Sequence, residues 1–107
     1  AVTAVSGSGP AYVFHFIEAL RDAALALGFS EEQARLLAIE TVVGAAALAA
    51  DSTADVTVLR QRVTSKGGTT EAALNSLNAD DFKAAILRAV RAAEARGREL
   101  GELLGKD

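Results

Sequence analysis

Five residues in one short stretch could hold a small anion. Ser65, Gly67, Gly68, Thr69 and Thr70 lie in Val63 to Leu77, a hydroxyl- and glycine-rich loop leading straight into a helical pattern. The first N–H groups of a helix have no intrahelical acceptor, and the helix dipole places positive potential there. A loop that feeds such an end is a ready site for a carboxylate or phosphate. Two successive glycines let the backbone approach a guest with no Cβ in between. Serine and threonine hydroxyls donate and accept, which suits a carboxylate beside a ring nitrogen. The plainer reading of Gly-Gly-Thr-Thr is an ordinary loop that caps an apolar helix.

The other chemistry-bearing residues are weaker. His15 stands between Phe14 and Phe16, and sequence places no acidic or serine partner beside it, so it reads as a packing or surface residue. Tyr12, at helical spacing, reads as core. Arg88, Arg91, Arg96 and Arg98 are diluted by Glu94, Glu99 and Glu102, and Glu94 with Arg98 forms an i,i+4 pair, so they read as a solvated face. Lys66 reads as an exposed loop charge. A net charge of −3 gives no general attraction to nucleic acid or to an anionic membrane. With no cysteine and one histidine, disulfides and thiolate sites are excluded and no zinc site is expected. Ser6-Gly7-Ser8-Gly9-Pro10-Ala11 superficially suggests a dinucleotide fingerprint. However, Tyr12 stands where its third glycine would be, and no acid-ended second strand follows.

The elements that must position these residues are helical. The chain has 107 residues, half of them hydrophobic and only four Phe and one Tyr aromatic. A single domain rich in Ala, Leu and Val favours close-packed helices. Ala1 to Val5 is short, apolar and β-tolerant. Ser8 or Gly9 then caps a helix to about Leu27, with Pro10 in its first turn and Val13, Phe16, Ile17, Leu20, Ala24 and Leu27 on its apolar face. Gly28 ends it. Ser30-Glu31-Glu32-Gln33 reads as a capping box that opens a helix over about 31–50. Between Leu36 and Ala50 only Glu40 and Thr41 are polar, so this helix needs cover on more than one side. An apolar run of 15 residues is too short for a membrane span and Glu40 would be costly in lipid, so α-helical spanning is excluded here and neither a membrane nor nucleic acid is expected as a partner. Cover by a second copy of the chain is expected. Asp55 caps a short helix over Val56 to Thr64. A fourth helix runs from about Thr70 to Leu77, and a long last one from about Asp80 to Leu104. Phe82, Ile86, Ala89, Ala93, Leu100 and Leu103 form a near coiled-coil seam on the last, roughly 37 Å long. The expectation is an all-α fold of about five helices, 1–107 forming one domain of an intertwined homodimer.

Two segments carry a resemblance. Ser6-Gly7-Ser8-Gly9-Pro10-Ala11-Tyr12 and Val63-Thr64-Ser65-Lys66-Gly67-Gly68-Thr69-Thr70, followed by Ala73-Leu74 and Leu77-Asn78, resemble the C-terminal helical dimerisation domain of pyrroline-5-carboxylate reductases. The resemblance covers essentially the whole chain. It implies an enzyme family that reduces 1-pyrroline-5-carboxylate to L-proline with NADPH or NADH, the cofactor being held by an N-terminal Rossmann domain absent here. This chain alone is therefore expected to bind no cofactor and to be inactive. The resemblance also implies interlocked dimers, decamers in some members, and a cytoplasmic setting. It puts the substrate carboxylate on Ser65 and on the N–H groups of Gly68 and Thr69 within the loop that includes Gly67, and sets Thr70 against the ring nitrogen, the position carried here as catalytic.

The sequence departs from the family at two places. Lys66 stands where some members have proline, and Thr53 where some carry an acid. No residue is an obvious general acid, so the proton comes from solvent or through Thr70. The competing readings are a helical homo-oligomerisation module without a ligand, and a phosphate or nucleotide binder, which would lack the Gly-Lys-Ser/Thr of a P-loop. The chain does not begin with Met, so a processed piece or a fragment of something longer is expected.

Overall fold

The computed structural model describes residues 1–105. Among them, five α-helices follow an N-terminal π-helical turn, and there is no strand. The helices are α1 (Gly9–Ala26), α2 (Glu31–Asp51), α3 (Val56–Arg62), α4 (Thr69–Ala79) and α5 (Phe82–Leu103). The all-α expectation holds. The chain divides into two compact units, one made of 12–65 and the other of 1–11 with the segment from Lys66 onward.

In the unit of 12–65, side chains and glycines set the helix ends. Gly28, at φ +100°, closes α1. The N–H of Phe29 returns to the carbonyl of Ala24 at 3.2 Å and that of Gly28 to Leu25 at 3.0 Å, the paired bonds of a Schellman cap. Two residues on, the capping box is formed: Gln33 N–H donates to Ser30 Oγ at 3.2 Å, and Ser30 N–H donates to Gln33 Oε1 at 3.1 Å. Asp55 caps α3 by accepting from the N–H of Thr57 at 3.0 Å. Helix α3 stops at Arg62, earlier than the expected Thr64. There the N–H groups of Val63 and Thr64 fall back on carbonyls three residues earlier, and the Thr64 hydroxyl takes the Arg60 carbonyl at 2.6 Å. These short bonds tighten the last turn and end the α pattern.

Helix α2 spans 21 residues, of which Ala34 and Ala38 are buried, while Leu36 is 58% and Leu48 66% exposed. The helix outruns its apolar stretch, and its length and composition would suffice to cross a membrane. Its large side chains find little cover among the described residues, although its nearly all-round apolar sequence calls for cover on more than one side.

In the other unit, the N-terminus departs from expectation. Thr3–Gly7 is a π-helical turn rather than extended chain: the N–H of Ser8 bonds the carbonyl of Thr3, five residues back, at 2.9 Å. Gly7 lies against Thr3, and a Cβ at position 7 would stand 2.9 Å from Thr3 Cγ2. Ser8 is already right-handed helical, so α1 begins at Gly9 with no extended cap residue. The π-helical turn, with its buried Ala4, packs against α5. Helix α4 also packs on α5. It starts one residue earlier than expected, at Thr69, and continues to Ala79. Asp81, at φ 55° and ψ 46°, turns the chain between them, so α5 opens at Phe82 and not at Asp80. An aspartate tolerates this left-handed region better than most side chains. On the outer part of α5, Glu94 pairs with Arg98 at 3.4 Å as expected, and Arg96 pairs with Glu99 at 3.1 Å.

Candidate functional site: the start of helix α4

The turn that leads into α4 is built on glycine conformations. Gly67 adopts φ +75°, which residues with a Cβ rarely take. Nothing lies within 4 Å of where a Cβ of Gly67 would be, so the constraint is conformational and not steric. Gly68 is the extended N-cap, at φ −88° and ψ −178°, and offers no side-chain cap. Its carbonyl accepts from Ala72 N–H at 3.2 Å and so starts the helical ladder. Thr69 and Thr70 are the first two helical residues. Gly68 and Thr70 are half-buried, whereas Gly67 and Thr69 are exposed.

The N–H groups in this turn fall into two kinds. That of Gly67 is engaged, donating to Glu71 Oε1 at 3.0 Å. Those of Gly68, Thr69 and Thr70 take no protein acceptor among the described residues. Gly67 thus contributes a backbone conformation, and the donors left for an anion are those of Gly68, Thr69 and Thr70. Four of the five expected positions, Gly67 to Thr70, lie together at the start of α4. Ser65 is exposed and is the last residue of the other unit.

Glu71 also belongs to this turn, although the glycine and hydroxyl pattern does not mark it. It sits three residues after the N-cap, the position from which a glutamate side chain can reach back to a free N–H. That signal, Gly68-x-x-Glu71, was available in the sequence. Here the carboxylate reaches one residue further back than in the usual capping box, to Gly67.

The remaining candidates make no second site. His15 Nδ1 lies 3.2 Å from Glu18 Oε1, an acidic partner one turn along α1 that the sequence reading did not place. The pair is open to solvent, with the His15 side chain 89% exposed. Arg21 and Asp22 pair at 3.1 Å on the same helix.

Comparison with known proteins gives this architecture its family. Residues 1–100 match the family described as pyrroline-5-carboxylate reductase dimerisation. The chain is 50% identical over 106 residues to the pyrroline-5-carboxylate reductase of Pseudomonas aeruginosa, covering 99% of this chain and 39% of that protein. To the Arabidopsis thaliana enzyme it is 47% identical, covering 95% and 37% respectively. Among solved structures, it superposes on Plasmodium falciparum pyrroline carboxylate reductase with NADP bound at a TM-score of 0.90 and 38% identity, covering 94% of this chain and 40% of that one. The Coxiella burnetii pyrroline-5-carboxylate reductase gives a TM-score of 0.89 at 46% identity, covering 92% and 37%. This chain belongs to the pyrroline-5-carboxylate reductase dimerisation family, and it spans about two fifths of the length of these relatives.

Proposed function

We propose that this chain is the dimerisation and substrate-binding part of a reductase that converts 1-pyrroline-5-carboxylate to L-proline with NADPH or NADH. The observation that carries the reading is the start of α4, where Gly68, Thr69 and Thr70 present N–H groups without protein acceptors, within a domain of this family. In this reading the substrate carboxylate rests on the Gly68 and Thr69 N–H groups and on the Ser65 hydroxyl, and Thr70 faces the ring nitrogen. Charge-assisted bonds of this kind are about twice as strong as neutral ones, and they add no titrating group.

Reduction adds a hydride to the imine carbon and a proton to the nitrogen, leaving a secondary amine. The nicotinamide, bound by a separate domain, would supply the hydride. This chain's part is to hold the ring still, so that the imine carbon stays within reach. The proton arrives from solvent or through Thr70. The proposed assembly is a homodimer, with α2 and the seam of α5 covered by a second copy. The proposed location is the cytoplasm, and neither nucleic acid nor a membrane is proposed as a partner.

Titration calorimetry with L-proline tests the site. Heat of binding is expected for the wild-type chain and should be lost in Ser65→Ala and Thr70→Ala. Equal heats in all three would favour the plainer reading, a helical homo-oligomerisation module whose loop is only a cap. The chain alone should oxidise no NAD(P)H in the presence of 1-pyrroline-5-carboxylate, and any turnover would contradict the division of labour.

A further inference from the structure

We propose that Glu71 is a positioning residue of this site, fixing the Gly67 turn through its carboxylate while its charge limits how tightly a carboxylate guest is held. The inference rests on the anion-binding reading above.

Two observations meet at Glu71. Its Oε1 takes the Gly67 N–H at 3.0 Å, across the residue whose φ of +75° turns the chain into α4. It is also half-buried, one residue beyond Thr70, in the first turn of the helix. A left-handed glycine is conformationally free in the unfolded chain, so an acceptor that captures its N–H selects one arrangement of the turn. In that arrangement Gly68 is the extended N-cap, and the N–H groups of Gly68, Thr69 and Thr70 stay clear of protein acceptors.

The same carboxylate is a negative charge beside the place where another would bind. At a separation of about 6 Å in a water-like medium, the repulsion corresponds to about a three-fold loss of affinity, screened by salt. Brace and charge are separable chemically. Glutamine keeps an oxygen acceptor for Gly67 and loses the charge, while alanine loses both.

The test compares the wild-type chain with Glu71→Gln and Glu71→Ala. Hydrogen exchange at the Gly67 amide is read by nuclear magnetic resonance. Cyclopentanecarboxylate is then titrated at low and at high salt, followed at the Gly68 and Thr69 amides. The Gly67 amide should be protected in wild type and Glu71→Gln, and should exchange faster in Glu71→Ala. Glu71→Gln should bind cyclopentanecarboxylate about three-fold more tightly than wild type at low salt, the ratio shrinking toward one at high salt. Glu71→Ala should bind more weakly than Glu71→Gln. Equal Gly67 protection in all three proteins would overturn the brace, and wild type binding as tightly as Glu71→Gln at low salt would overturn the charge effect. If no variant binds but the protection pattern holds, the brace stands and the anion-site reading falls instead.

Discussion

The carboxylate of Glu71 reaches back four residues to the main-chain N–H of Gly67, 3.0 Å away, and so ties the first turn of α4 to the loop that precedes it. The bond joins a charged acceptor to a residue at φ +75°. A predictable strain follows from replacing that glycine. Gly67→Ala meets no steric obstacle but must hold a left-handed conformation, at a cost of about 1 kcal/mol. For a domain of this size that is about 4–8 °C in thermal midpoint at fixed protein concentration. An unchanged midpoint would show that the turn readily adopts another conformation.

A second prediction concerns α2. Its capping box satisfies two N–H groups with two side chains. Ser30→Ala should cost about 1 kcal/mol and Ser30→Gly only a few tenths, measured by urea denaturation with the slope unchanged.

The apolar surface of α2 gives a third. Val43 is 56% exposed on a helix whose large side chains find little cover within the chain. Val43→Asp would place a charge in the proposed interface and should turn a homo-oligomer into a monomer by light scattering. Glu32→Gln, in the exposed first turn of the same helix, should leave assembly intact. A Val43→Asp chain that assembles like wild type would exclude this face from the interface.

Asp55 gives a pH prediction. The Thr57 main-chain N–H, followed by the Thr57 side chain, holds its carboxyl below the ordinary value of 3.8. A depressed carboxyl stabilises the fold above its unfolded pKa and loses that contribution as pH falls through the folded one. The stabilisation from this cap should therefore be constant at neutral pH and fade below about pH 4. The difference in thermal midpoint between wild type and Asp55→Ala should narrow over that acid range. A gap that persists at the lowest pH would show that the cap does not depend on the charge.

The parts legible in the sequence were those marked by side chains. Ser30 with Gln33, Gly28 and Asp55 each announce a helix end, because one side chain or one missing Cβ does the work there. The end of α1 and the starts of α2 and α3 follow from that. The Thr3–Gly7 turn was not legible. Its defining feature is a main-chain bond from Ser8 to Thr3, five residues apart, which no residue type marks, and a short β-tolerant run fits an extended segment equally well. The last helix is expected from about Asp80, and only the backbone shows that Asp81 carries a left-handed step before it. At the site, the glycines and threonines point to α4, but their pattern does not show that the Gly67 N–H is already taken by Glu71. Glu71 was passed over because its place in the first turn also fits a simple favourable charge at a helix start.

In the proposed function, the donors at the start of α4 hold a carboxylate at a seam between subunits. A crystal structure of this chain grown with L-proline tests it most directly. The proline carboxylate should lie within hydrogen-bonding distance of the Gly68 and Thr69 N–H groups, with the Thr70 hydroxyl toward the ring nitrogen and a second copy of the chain alongside. A carboxylate bound elsewhere, or an α4 start remote from any second copy, would contradict it.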